Sequence, residues 1–363
     1  MSDRAEDSEF KAWHAVADLY HAYFTGLVMS LVTRRSAADA AEFMFRVFRR
    51  QHHERFLAGI AKFGLTNAPH AVAAAQYHYL SNQIGGVNVE YMRESDRKAW
   101  IRYPPPRWVW RGTAICAIPG EVSAGMLRGW HAHNGVSFKN PRMGFVCTKQ
   151  TVDGQNGLEG FYYEYDRDLL PEERLVFARH LEAPPFDPAL APKLATDTWP
   201  RSRLEKAYRN YAMEYVRSSL PVIVNQFSPS DAGHLLYLTG KLVGMQFYPG
   251  IAASFPAGHD SGPQGFGAFL LEFLRAEGDE ADLGHAHGRV TISQKQWGLI
   301  TGVPDYHPMC LQALRGLIEG LMTAHDRRLA LDFTAENDRA PGPLRWTITQ
   351  KPLAPTDDGR FPA

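Results

Sequence analysis

Cys116 stands in the run AICAIPGE, just ahead of a Pro-Gly turn and the start of a helix expected over residues 121–133. A thiol placed there would feel the helix dipole and the open amides of the first turn, which lower its pKa and can hold a developing oxyanion. The same run also reads as a buried strand end, where cysteine is a small hydrophobe. At the other end of the helix the string WHAHNG gathers His131, His133 and Asn134. One of these imidazoles, with Asn134, can face a pocket as a general base or hydrogen-bond donor near neutral pH. The plainer alternative is a helix-end histidine held by the negative end of the dipole. As a metal pair the two are poorly placed, because side chains two positions apart on a helix diverge by about 200°. No metal ligand and no cofactor is therefore assigned.

Other polar groups are candidates for holding a small substrate. Glu90 and Arg93 lie on the alternating strand VNVEYMRES, and Glu121 opens the central helix. Trp130 closes a stripe with Val122 and Met126, and Tyr163 alternates with Phe161 and Tyr165 on a hairpin. Cys147 shares a strand face with Met143 and Phe145 and reads as core. His285 and His287 in LGHAHGR, and His307 with Cys310 in YHPMCLQ, are weaker signals, the first pair suiting a solvated loop and the second lacking a third partner.

The elements that must position these groups are legible in outline. Trp13, Val16, Tyr20, Tyr23 and Leu27 recur at steps of three and four and predict a first long helix. Ser36, with Asp39 in the first turn, predicts an N-cap for a second helix that ends near Gly64. A helix over 70–84 runs into Gly85-Gly86 and then a hairpin, VNVEYMRES to RKAWIRY, turning at 95–97. Pro104 to Pro106 predict a rigid extended segment before Trp108 and Trp110. Asn134-Gly135 predicts a left-handed stop to the central helix, and a second hairpin turns at 153–157.

Much of this order returns. SAADAAEFMF at 36–45 aligns without a gap onto SPSDAGHLLY at 228–237, and LRGW at 127–130 matches LRGL at 314–317 in nearly the same register. The expected fold is α+β, an internally duplicated unit of N-terminal helices followed by a small antiparallel sheet with a central packing helix. Residues 1–180 form the first copy, 181–200 a Pro-rich linker, 201–352 the second copy and 353–363 a tail. Val303 stands where the first copy has Cys116, so the chemistry is expected in the first copy, with the second as scaffold or dimerisation unit.

Composition narrows the function. With 363 residues and 45% hydrophobic content the chain can bury more than one core. Lys+Arg and Asp+Glu each total 39, which lacks the basic surplus that nucleic-acid binding needs. The apolar run Tyr23 to Val32 is about half a membrane span, so no membrane partner is expected. Three scattered cysteines suit a reducing, cytoplasmic location, and exposed hairpin edges suit a homodimer.

Over residues 36–165 the order of parts resembles the L-2-amino-thiazoline-4-carboxylic acid hydrolase-like family: a capped helix, the hairpin VNVEYMRESDRKAWIRY, Cys116 opening a helix, then VCTKQTVDGQNGLEGFYYEY. In outline it is also similar to 4-vinyl reductase and haem-nitric-oxide small-molecule-binding domains. Cys116 matches the cysteine that members carry before the central helix. At two further cysteine positions this chain has His131 or His133, and Gly160. The resemblance implies a hydrolase that opens a small cyclic amide, amidine or thiazoline-like carboxylic acid by attack of Cys116 or a water. His131 or His133 would then move the proton. The alternative it implies is a non-catalytic protein that binds an aromatic, lipid-like or haem ligand.

Overall fold

The computed structural model describes residues 3–105, 114–194, 199–257, 260–286, 288–336 and 342–352. Pro106, Trp108, Trp110, His287 and the tail 353–363 lie outside the described residues. Helices α1 (Asp3–Arg34), α2 (Ala37–Lys62) and α3 (His70–Ile84) lead into strands β1 (Glu90–Ser95) and β2 (Lys98–Tyr103). Then come α4 (Gly120–Gly129), the short α5 (Asn134–Ser137), β3 (Met143–Lys149), β4 (Leu158–Glu164) and β5 (Leu175–Phe177). The pattern returns as α6 (Arg201–Gln226), α7 (Pro229–Ile251), α8 (Pro263–Glu277), β6 (Ala281–Ala286), β7 (Arg289–Gln294), α9 (Leu311–His325), β8 (Leu329–Ala335) and β9 (Leu344–Gln350). The sheets repeat too: β1-β2-β4-β3 in the first corresponds to β6-β7-β9-β8 in the second. The fold is α+β, built from one unit used twice. By compactness, residues 20–236 form one body and residues 1–19 with 237–363 another.

Local chemistry explains the repeated elements. The Ser36 hydroxyl accepts from the Asp39 amide at 3.0 Å, and Ser228 accepts from Asp231 at 3.1 Å. Each serine satisfies one of the orphan amides of a helix start, so Ser36→Ala should lower stability by about 1 kcal/mol in chemical denaturation. Glycines let the paired helices touch backbone to backbone. A β-carbon on Gly129 of α4 would come within 2.6 Å of the Phe45 carbonyl on α2, and one on Gly316 of α9 within 2.0 Å of the Tyr237 carbonyl on α7. Phe45 and Tyr237 are partners in the gapless sequence alignment, so the duplication is visible as one backbone contact made twice. Gly129→Val should cost at least about 1–3 kcal/mol by overpacking, read as a lower denaturation midpoint with unchanged slope.

The first sheet is covered on both faces. Tyr91, Tyr103 and Tyr162 meet α3 through Gln76 and His78. On the opposite face Met92, Trp100, Val146 and Phe161 form a cluster covered by Leu181, Ala183 and Phe186. Part of the Pro-rich span expected only to connect the copies thus packs as extended chain on the sheet. The short β5 adds a parallel strand beside β3, pairing Val146 with Val176, where an all-antiparallel sheet was expected.

The central helix also differs from expectation. α4 stops at Gly129, His131–His133 form a 3-10 turn, and Asn134 is right-handed at φ −56° rather than a left-handed stop. Gly135 is required instead for close approach, since a β-carbon there would lie 2.4 Å from the Met143 carbonyl. The end of α4 is satisfied from outside. Arg49 of α2 donates from Nε to the Gly129 carbonyl at 2.9 Å and from its terminal nitrogen to the Arg128 carbonyl at 3.0 Å. Among the described residues α1 is long and apolar enough to cross a bilayer, and 72% of its most apolar window is buried within the protein, as in a core helix.

Candidate functional site

Within residues 20–236, the helices α2, α3, α4 and α6 surround a cavity of about 660 Å³. Phe48, Tyr77 and Trp130 supply apolar wall, while His78, Asn82 and His131 bring polar groups to it. The aromatic wall follows from helical spacing. Phe48 and Arg55 lie two turns apart on α2, His78 and Asn82 one turn apart on α3, and Tyr211 and Tyr215 one turn apart on α6.

The polar end is a connected network. The imidazoles of His78 and His131 stack with centroids 4.3 Å apart and planes inclined by 22°. His131 Nδ1 lies 2.6 Å from the Tyr162 hydroxyl, and His78 Nδ1 lies 3.3 Å from the Tyr103 hydroxyl. Asn82 donates to the His78 carbonyl at 2.8 Å and accepts from the Tyr211 hydroxyl at 2.8 Å; that hydroxyl is 2.7 Å from Tyr215. Behind the cavity wall, Asn134 bridges two histidines, with Oδ1 3.0 Å from His52 Nε2 and Nδ2 3.5 Å from His78 Nε2. Asn134 and Tyr162 are both 0% exposed, so a polar atom of either left without a partner would carry a desolvation cost of about 1–3 kcal/mol. Meeting that need fixes the ring orientations.

Charge states follow from burial. Burial holds the Tyr162 hydroxyl well above the usual phenol range, so it stays protonated as a donor and acceptor. The Tyr77 hydroxyl is pushed up to about 12 for the same reason. His52 is lowered to about 3, by burial first and then by His133, and His133 is lowered to about 4, by burial and then by Arg49. Both rings are neutral at pH 7.

The residues singled out from sequence separate into two groups. Trp130 and His131 line the cavity and Asn134 supports its floor. His133 turns away from His131 and meets His52 and His53. Cys116 is exposed on a 3-10 turn, Ala114–Ala117, and is not part of the cavity wall. The α4 start behind it is fronted by Asp153, whose Oδ1 would lie 2.6 Å from a β-carbon on Gly120, and such a carboxylate opposes an oxyanion there. Glu121 is exposed in the first turn of α4. Glu90 pairs with Arg102 across β1 and β2, and Arg93 pairs with Asp96 at the turn. Tyr163 belongs to the far face of the sheet, under the Arg97 guanidinium, and its neighbour Tyr162 takes the place in the site. Cys147 is core, its thiol pushed up to about 12 by burial. His307 accepts from the Met309 amide at 3.1 Å and serves as a cap, and His285 is exposed on β6.

The second copy lacks these groups in matching registers. Extending the two alignments puts Gly244 opposite His52, Ile318 opposite His131, Gly320 opposite His133 and Leu321 opposite Asn134. Ile318 and Leu321 are fully buried, so apolar packing fills what the first copy gives to polar side chains. Comparison with known protein families, curated proteins and solved structures finds no match to this chain.

Proposed function

We propose that residues 20–236 form a small-molecule hydrolase whose substrate sits in the aromatic cavity with His131 moving the proton. The observation that supports this reading is His131, set in the wall of a cavity otherwise rich in aromatic surface, with its Nδ1 2.6 Å from the buried Tyr162 hydroxyl behind it. A phenol hydroxyl both donates and accepts, so Tyr162 can hold His131 in its neutral and protonated states alike. A water adds to the carbon of a cyclic amide, amidine or thiazoline, giving one proton to His131. The ring carbon–nitrogen bond then breaks, and the nitrogen receives that proton back. The nucleophile is water rather than Cys116, because the thiol lies outside the cavity. At the rim, Arg55 and Lys62 can meet the carboxylate of such a substrate, with Arg55 exchanging its 2.6 Å pair to Glu214 for the ligand. The protein would act in the cytoplasm as a homodimer, needing no disulfide among Cys116, Cys147 and Cys310.

The test is hydrolysis of 2-aminothiazoline-4-carboxylate and a panel of five-membered cyclic amides and amidines by wild type and Ala58→Trp. Ala58 is an exposed residue of the cavity lining, so an indole there obstructs the cavity without disturbing core packing. Turnover lost by at least about tenfold in the variant, with unchanged melting, is the expected result. Turnover that survives the block places the reaction elsewhere. A copurifying chromophore with no turnover of any panel member favours a non-catalytic binding protein.

A further inference from the structure

Beside the cavity, and not lining it, lies a second cluster that the hydrolytic reading does not use. We propose that His52, His53 and His133 form a binding site for one divalent transition-metal ion of the zinc type. Each offers a ring nitrogen, and the three lie within 4.8 Å of one another. The rings stand edge to face in every pair, with interplanar angles of 77°, 79° and 87°. His52 and His53 are consecutive on α2, and His133 is brought over them by the turn that follows the glycine contact of α4 with α2.

His52 supplies the independent sign of a ligand. It is 1% exposed, and its Nε2 donates to Asn134 Oδ1, an atom that can only accept. That bond places the lone pair on Nδ1, which is buried and has no hydrogen-bond partner. A metal-binding histidine is held in this way, one nitrogen fixed by an outer partner and the other presented to the ion. A proton is a poor substitute, since burial and the neighbouring His133 both disfavour charging the ring.

Zinc–nitrogen bonds of about 2.0–2.1 Å in a tetrahedron put ligand nitrogens roughly 3.3 Å apart. The rings must therefore close in by an ångström or so, which exposed His53 and half-buried His133 can do by side-chain rotation. Three imidazoles select zinc, cobalt, nickel or copper over magnesium and calcium, which prefer oxygen. Three protein ligands leave a fourth position for an outside molecule. The charges of Arg49 and Arg174 act on His133, so they weaken binding of a bare cation and favour hydroxide or a carboxylate at that fourth position.

Untagged protein stripped with EDTA and titrated with cobalt(II) tests the site. One equivalent per chain should bind with the intense visible absorption of a low-coordinate ion, and zinc should bleach it. His53→Ala and His133→Ala should each weaken binding by more than the roughly 10- to 100-fold that loss of an outer-shell partner costs. His285→Ala, on exposed β6, should change nothing. Because His53 is exposed, its variant keeps the fold and decides the matter even if His133→Ala does not fold. A cobalt spectrum that never saturates, or variants that bind like wild type, would overturn the proposal.

Discussion

Metal-free protein is expected to lose stability steadily as the pH falls from 6.5 towards 4. In the unfolded chain His52 takes up a proton near 6.5, whereas in the folded chain burial and His133 defer uptake to about 3. Between those values the unfolded state binds more protons, so stability rises with pH and falls on acidification at about 1.4 kcal/mol per pH unit for this ring. From pH 6.5 to 5 that is a loss of about 2 kcal/mol. About a unit above 6.5 both states are neutral and the dependence disappears. His133 adds a contribution of the same sign down to about 4, reduced because it is only half-buried. Urea denaturation at pH 7, 6 and 5 reads the effect. His52→Phe keeps the stacking on Phe56, whose ring centroid is 4.7 Å away, and should remove about one proton from the slope. Stability that is flat over this range in wild type would contradict the burial assigned to His52.

The parts of the fold legible in the sequence are those set by local or repeated chemistry. Ser36 and Ser228 announce their helices because a cap acts on an amide three residues away. The duplication is readable because Gly129 and Gly316 are held to one register by a backbone contact. The site is less legible, since His52, His78, His131 and Tyr162 come from four separate elements. Two signals could have found part of it. His78 and Asn82 are polar residues one turn apart on the otherwise apolar face of α3, and Tyr211 and Tyr215 repeat that spacing on α6. Strand alternation could not choose between Tyr162 and Tyr163, because the chain itself buries both faces of that sheet. Cys116 drew attention through its neighbours in sequence, a Pro-Gly turn and a helix start, whereas the cavity is assembled from helices far apart along the chain and does not include it.

His131 carries the larger functional prediction. Its ring lines the cavity, stacks on His78 and is held by Tyr162, so removing it deletes the proposed proton carrier and leaves the other walls in place. General acid–base catalysis contributes about 10²- to 10⁴-fold, which sets the expected loss in kcat for His131→Ala. Tyr162→Phe should lower kcat less and shift its pH profile, because the phenol orients the ring without touching the substrate. The decisive measurement is the rate of 2-aminothiazoline-4-carboxylate hydrolysis by wild type, Cys116→Ala and His131→Ala side by side. Rates equal in wild type and Cys116→Ala, and at least about a hundredfold lower in His131→Ala, are what the cavity predicts. Loss of turnover in Cys116→Ala with His131→Ala unaffected would contradict it and return the chemistry to the exposed thiol.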